Sequence, residues 1–188
     1  MKGELKRIDR IINNLLLYAR PTKTEALPYP AAVLEDVLHH VLTLLKAQKL
    51  FDGITIKEDL EGGPWKIAIA SDDLTQLLIN LMLNAAEAMK GQGEIRLSAE
   101  RLSGWRPSLG VVARDAVRIS VADSGPGIPP GGEERIFDPF YSNREGSEGS
   151  GLGLAICQSI CERAGGEIAL DRQYTAGSRF LITLAVAR

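Results

Sequence analysis

Residues 71–89 read Ser71-Asp-Asp-Leu-Thr-Gln-Leu-Leu-Ile-Asn-Leu-Met-Leu-Asn-Ala-Ala-Glu-Ala-Met89, and the placing of the amides in that stretch decides how the rest of the chain is read. At about 100° per residue of an α-helix, Asp73, Gln76, Asn80, Asn84 and Glu87 fall on one narrow stripe. Leu74, Leu78, Ile79, Leu81, Met82, Ala85 and Met89 lie away from it, with Leu77 and Leu83 flanking its edges. A stripe of charges is ordinarily a solvated face. Two asparagines four residues apart are different, because Asn competes for backbone hydrogen bonds and belongs at caps and turns rather than in mid-helix. An amide ladder between apolar shoulders predicts a helix that is half core and half lining of a polar cavity. Ser71 stands where its N-cap belongs.

Upstream, Trp65 to Ala70 alternates like a short strand, Glu61-Gly-Gly-Pro64 is a turn, and a further strand is expected at 54–60. Before these, an amphipathic helix over about 31–49 presents Leu34, Val37, Leu38, Val41, Leu42 and Leu45 as a broad apolar face. Downstream, strands are expected at 94–101, 116–123, 166–171 and 178–186, with a glycine-rich stretch over 124–151 and a helix running from there to about Arg163. The stretch 102–116, with Trp105 and Pro107, reads as a longer hairpin and receives no role. Strands outnumber helices and mostly follow one another directly. That order predicts an α+β sandwich with one sheet face covered by helices, not a doubly wound parallel sheet.

Near the start, Leu5, Ile8, Ile12, Leu15 and Ala19 step by threes and fours until Arg20-Pro21 ends the pattern. This is a coiled-coil-like helix of about 20 residues, too short to stand without a partner helix. Residues 22–30 carry two prolines and no period, as a linker would. Three parts are therefore expected: 1–21, 22–30 and a main domain over 31–188.

The 22 basic and 24 acidic residues leave a formal net charge of -2, so no basic field exists to gather a nucleic-acid backbone or an anionic membrane. No apolar run reaches the ~20 residues that span a bilayer, and the opening Met-Lys-Gly-Glu-Leu-Lys-Arg lacks a signal-peptide core. No nucleic acid, no membrane contact within this stretch and a cytoplasmic setting are expected. Cys157 and Cys161 sit four apart on the last helix, while His39 and His40 lie far off in sequence. Ordinary reduced core cysteines are favoured over a zinc site, which needs more ligands.

Two further segments carry chemistry. Asp123-Ser-Gly-Pro-Gly127 follows the apolar strand 117–122, so a carboxylate stands where the strand gives way to glycine-rich loop and can accept from a base's exocyclic amino group. Asp-Ser-Gly is also an everyday turn. Gly149-Ser-Gly-Leu-Gly-Leu154 opens a helix, where free N–H groups and the helix dipole favour an anion. It is neither the strand-preceded fingerprint of a dinucleotide fold nor a lysine-bearing P-loop.

In order, Asn80-Leu-Met-Leu-Asn-Ala85, Asp123-Ser-Gly-Pro-Gly127, Phe137-Asp-Pro-Phe140, Gly149-Ser-Gly-Leu-Gly-Leu154 and Gly177-Ser-Arg-Phe180 closely resemble the N, first-glycine, F, second-glycine and third-glycine boxes of two-component sensor histidine kinases. The resemblance covers about 31–188. Arg7-Ile-Asp-Arg-Ile-Ile-Asn-Asn-Leu-Leu-Leu-Tyr-Ala-Arg-Pro21 is similar to the second helix of the family's dimerisation hairpin. The resemblance implies a Bergerat-type two-layer sandwich with ATP held between the helices and a lid at about 126–150. Asp123 would then accept from the adenine amino group, with Ser178 in place of a family threonine that helps hold that carboxylate. Asn84 would give its amide oxygen to Mg²⁺. Asn80 would lie beside the phosphates, and Gly149, Gly151 and Gly153 would bring backbone N–H groups to them. Gly125, Gly127 and Leu152 complete the implied cofactor-binding set. Phe137 and Phe140 would anchor the lid or simply pack in the core.

The chain departs from the family pattern in two places. Glu87 stands where many members carry a basic residue, so a phosphate contact there is not implied. The lid reads Tyr141-Ser-Asn-Arg144 where the family offers a lysine, which leaves Arg144 as the candidate cation for the transferring phosphoryl group.

The function so implied is that of a sensor-kinase catalytic domain, which passes the γ-phosphoryl group of Mg-ATP to a histidine on a dimerisation domain absent from this chain. Its implied partners are the upstream acceptor-histidine helix, a response regulator and, in a longer protein with or without a membrane anchor, a second copy. The alternatives are an ATPase of the same fold, a degenerate nucleotide-binding module, or a protein-serine kinase of the anti-sigma type. Asn80 weighs against the ATPase, because related ATPases carry there a glutamate that activates water, and an amide is no base. His39 and His40 fall within the helix 31–49 and read as surface residues, not as the acceptor.

Overall fold

Strand alternation puts Ile95 and Leu97, Val117, Ile119 and Val121, and Phe180, Ile182 and Leu184 on one face of one sheet, where all of them are buried. The computed structural model describes residues 31–60, 62–107, 114–141 and 151–187. The expected helix over 5–19 and the linker 22–30 lie outside the described residues.

The main sheet contains β2 (Gly53–Asp59), β4 (Gln92–Trp105), β5 (Arg114–Asp123), β6 (Glu167–Leu170) and β7 (Arg179–Ala185), in the order β2-β4-β5-β7-β6. β2 runs parallel to β4, and every other pairing is antiparallel. The mixed pairing follows from connectivity: a whole helix separates β2 from β4, whereas β4 and β5 form a hairpin. A two-stranded ribbon of β1 (Ala32–Val33) and β3 (Lys66–Ile67) adjoins the end of β7.

Three helices cover the apolar face: α1 (Leu34–Lys46), α2 (Ser71–Ala88) and α3 (Gly153–Arg163). The six apolar residues expected to face inward from the first helix are all buried in α1. The opposite sheet face is polar. There Lys57 and Arg96 grip Glu94 at 2.6 and 2.9 Å, and Arg118 meets Glu100 at 3.2 Å. Lys57 first, and Arg96 after it, hold the Glu94 carboxyl below its usual value. One apolar and one polar face make this the expected two-layer α+β sandwich.

Several boundaries differ from expectation for local reasons. The first helix starts at Leu34, because Ala32 and Val33 are taken into β1 by pairing with Ile67 and Lys66. It ends at Lys46, and a 3₁₀ turn over Lys49–Phe51 carries Phe51 inward. Ser71 is the first helical residue and not the cap. Ala70, in extended conformation, occupies the N-cap without a side-chain hydrogen bond, and Asp72 and Asp73 supply the negative charge that the first turn favours.

The described ends of the hairpin given no role from sequence reach toward β6. β4 shifts register between Leu102 and Trp105, with Gly104 at φ +69. Trp105 then donates from Nε1 to Glu167 on β6 at 3.2 Å. The Arg114 guanidinium lies 5.6 Å over its ring and donates to the Gly165 carbonyl at 3.3 Å.

The chain leaves the sandwich beside the place where it enters. Ala68 N–H donates to Ala185 O at 2.9 Å, Ala187 N–H donates to Lys66 O at 3.0 Å, and Ile67 bridges Val186. Ile67 is therefore flanked by the first and last strands of the described domain. Cys157 and Cys161 are core residues, both fully shielded. Burial pushes the Cys157 thiol up to about 12 and that of Cys161 well above its ordinary value.

Candidate functional site

β5 ends on Asp123, a carboxylate only 5% exposed. A buried carboxylate requires donors, and two backbone groups supply them: Gly125 N–H at 2.8 Å and Ser178 N–H at 3.1 Å, both to Oδ1. Among the described residues the hydrogen bonds to this side chain all end on Oδ1, leaving Oδ2 as a directed acceptor. The main chain is tied as well, with Asp123 N–H donating to Ser178 O at 2.8 Å.

Glycine is needed around this carboxylate because the backbone approaches it so closely. A Cβ on Gly177 would run into the Asp123 carbonyl oxygen, and one on Gly125 would come within 2.8 Å of Oδ1. Gly127 sits at φ +75, a conformation that glycine adopts freely. Ser124, to which sequence reasoning gave no part, fastens the loop. Its Oγ accepts from Glu94 N–H at 2.9 Å and lies 3.3 Å from Met89 Sδ at the end of α2. Its serine-after-aspartate position was the available signal.

The two asparagines of α2 converge on one residue of α3. Asn80 Nδ2 donates to Gly153 O at 3.4 Å, and a Cβ on Gly153 would touch the Asn84 amide at 3.5 Å. Gln76 Nε2 donates to Asn80 Oδ1 at 3.0 Å. One turn below, Arg163 of α3 reaches Asp73 at 3.4 Å with both side chains largely covered. The stripe is therefore an interface with α3 along its first half, while its second half reaches the start of α3.

The start of α3 suits an anion. It has no acidic residue in its first turn and no side-chain cap, whereas α1 opens with Glu35 and Asp36 and α2 with Asp72 and Asp73. Among the described residues no side chain caps this start, and such a helix terminus favours an anion. Gly151, at φ +66, accepts from Phe140 N–H at 3.0 Å, and a Cβ there would fall 2.5 Å from the Phe140 carbonyl carbon. Leu152 is fully buried and anchors the turn.

The structure divides the two phenylalanines of the expected lid anchor. Phe137 packs edge-on against Phe180, ring centres 6.4 Å apart at 82°. Phe140 is 64% exposed with φ +65, so it does not anchor the lid by burial. Ser178 holds Asp123 through its backbone N–H, a part that any residue but proline can play. Arg144 and Gly149 lie outside the described residues, as do all of 142–150.

A mixed sheet covered on one face by helices, a buried carboxylate at the end of β5 and an uncapped glycine-rich helix start facing two asparagines define a Bergerat-type α+β sandwich. The family described as "Histidine kinase-, DNA gyrase B-, and HSP90-like ATPase" matches residues 69–188, and the chain belongs to it. Sensor histidine kinase ZraS of Salmonella typhi is 34% identical over 186 residues, 99% of this chain but 37% of that protein. The chain thus spans little more than a third of that relative's length. Among solved structures, the catalytic domain of histidine kinase ThkA is similar with a TM-score of 0.69 and 28% identity, over 85% of this chain and 97% of that one. Full-length ShkA in complex with AMPPNP gives a TM-score of 0.73 and 28% identity, over 95% of this chain and 36% of that one.

Proposed function

We propose that residues 31–188 are the ATP-binding catalytic domain of a bacterial two-component sensor histidine kinase, with 1–21 the second helix of its dimerisation hairpin and 22–30 the linker. The observation that carries the reading is the Asp123 carboxylate, buried and fixed through Oδ1 with Oδ2 left as a directed acceptor. An acceptor there pairs with the amino group of adenine and repels the carbonyl oxygen that guanine places at the same position. Selection of ATP follows.

The residues present fit Mg-ATP. The Gly125 and Gly177 backbones form a cradle around Asp123 that a Cβ would fill. Asn84 stands beside the start of α3, where its amide oxygen can serve a hard cation that shares phosphate oxygens. The N–H groups of Gly151 and Gly153 would meet the phosphates, with Asn80 beside them; Gly149 and Arg144, expected to complete the set, lie outside the described residues. Asn80 cannot remove a proton from water, so hydrolysis is slow and the phosphoryl group is kept for a better nucleophile.

That nucleophile is a histidine on the dimerisation hairpin, whose phosphate then passes to a response regulator. His39 and His40 are exposed on α1 and belong to neither step. Incubated with labelled ATP and Mg²⁺, the chain is expected to acquire no acid-labile phosphate, yet to phosphorylate a separate hairpin bearing the acceptor histidine, slowly because tethering is lost. Self-labelling that disappears on mutation of His39 or His40 would refute the assignment.

A further inference from the structure

The Gln76 side chain lies a full turn before Asn80 on α2, away from the carboxylate and glycine loops, yet it is bonded to Asn80. A carboxamide has one acceptor atom and one donor atom, and the two are not interchangeable. Asn80 Oδ1 accepts from Gln76 Nε2 at 3.0 Å, and Asn80 Nδ2 donates to Gly153 O at 3.4 Å. The buried Cys157 thiol of α3 lies 3.8 Å from the carbonyl of Leu77, the residue after Gln76. Turning the Asn80 amide over would set Oδ1 against the Gly153 carbonyl, which can only accept, so Gly153 sets the sense of the amide and Gln76 Nε2 holds it there by occupying Oδ1. Gly153 is the residue against which Asn84 also rests.

We propose that Gln76 is a positioning residue for phosphoryl transfer: by donating to Asn80 Oδ1 it fixes the amide that ties α2 to the first carbonyl of α3, and so sets the start of α3 against Asn84. The proposal rests on the nucleotide reading given above. Gln76 touches neither nucleotide nor acceptor and acts through Asn80. Its loss therefore slows transfer without weakening adenine binding, which depends on Asp123 some distance along the fold.

The test uses the full chain with Gln76→Leu and Gln76→Glu. In the nucleotide-free protein, the Asn80 side-chain amide resonance, identified by its loss in Asn80→Asp, is expected to move in Gln76→Leu. Transfer from labelled ATP to a separate acceptor-histidine hairpin is expected to lose tenfold or more in kcat, with KM for ATP within about twofold of the parent. Gln76→Glu should regain rate relative to the parent as pH falls, because only a protonated carboxyl donates to Oδ1. An unmoved Asn80 resonance, a kcat within twofold of the parent, or a Gln76→Glu profile parallel to the parent overturns the proposal. A moved resonance in a chain that binds no nucleotide instead overturns the nucleotide reading and the catalytic role together, while leaving the hydrogen bond in place.

Discussion

On Asp123 two backbone N–H groups share one carboxylate oxygen, and among the described residues the other oxygen accepts from none. This makes Asp123→Asn a sharper test than Asp123→Ala. The asparagine can keep Oδ1 as acceptor for Gly125 and Ser178 while replacing Oδ2 with a donor that faces the adenine amino group. Loss of a charged hydrogen bond amounts to about 1.5–3 kcal/mol, so calorimetry should show ATP binding at least tenfold weaker with thermal stability nearly unchanged. Equal affinity would remove the adenine assignment. Asn84→Ala is expected to abolish the gain in affinity that Mg²⁺ brings, and binding isotherms with and without magnesium decide it. At this scale the sequence was readable where a residue type is out of place, as with Asn80 and Asn84 in mid-helix. Gln76 was legible as a neighbour of Asn80 on the same stripe of α2, four residues away, whereas the bond from Glu94 N–H to Ser124 joins residues thirty apart and is set only by folding.

Among the elements, α3 owes its start to two glycines with different duties. Gly151 has positive φ and no room for a Cβ beside Phe140, whereas a Cβ on Gly153 would meet Asn84 at ordinary contact distance. Gly151→Ala should therefore destabilise the protein by about 1–3 kcal/mol through backbone strain and the lost Phe140 bond. Gly153→Ala should leave stability within about 0.5 kcal/mol but weaken Mg-ATP binding, since on the proposed reading the methyl group would stand at the phosphates. Thermal melts of the two variants, followed by nucleotide titration, separate the roles. Periodicity found α1, α2, α3 and the five strands of the main sheet. It placed β3 within a short strand over 65–70 but missed its partner β1, which it took into the helix over 31–49 because a two-residue strand has no period, and it read Ser71 as a cap because serine favours that place while Ala70 fills it. Trp105 gave no clue, since its partner Glu167 is over sixty residues away.

For the molecule as a whole, two shielded thiols tie stability to pH. The Cys157 pKa is raised in the folded state, so the unfolded chain releases its proton first as pH increases. Its contribution is complete below about pH 9 and is lost as pH rises toward 12. In that window stability falls by about 1.4 kcal/mol per pH unit per thiol, and Cys161, shifted the same way by burial, adds to the slope. Urea midpoints at pH 7.5 and pH 10 should therefore diverge in the parent and draw together in Cys157→Ala. An equal drop in both would show that other groups drive the alkaline loss.

The strand Ile67, bordered by Ala32 on one side and Val186 on the other, brings both ends of the sandwich to a single spot. A body held at one spot can turn as a unit about its tether, and it can be cut out or spliced into a host loop without stretching either end. A circular permutant that joins residue 187 to residue 31 through a few glycines, and is reopened between 107 and 114, should keep the sandwich and its nucleotide affinity. The order in which these strands are strung would then matter less to the site than the seam where they meet.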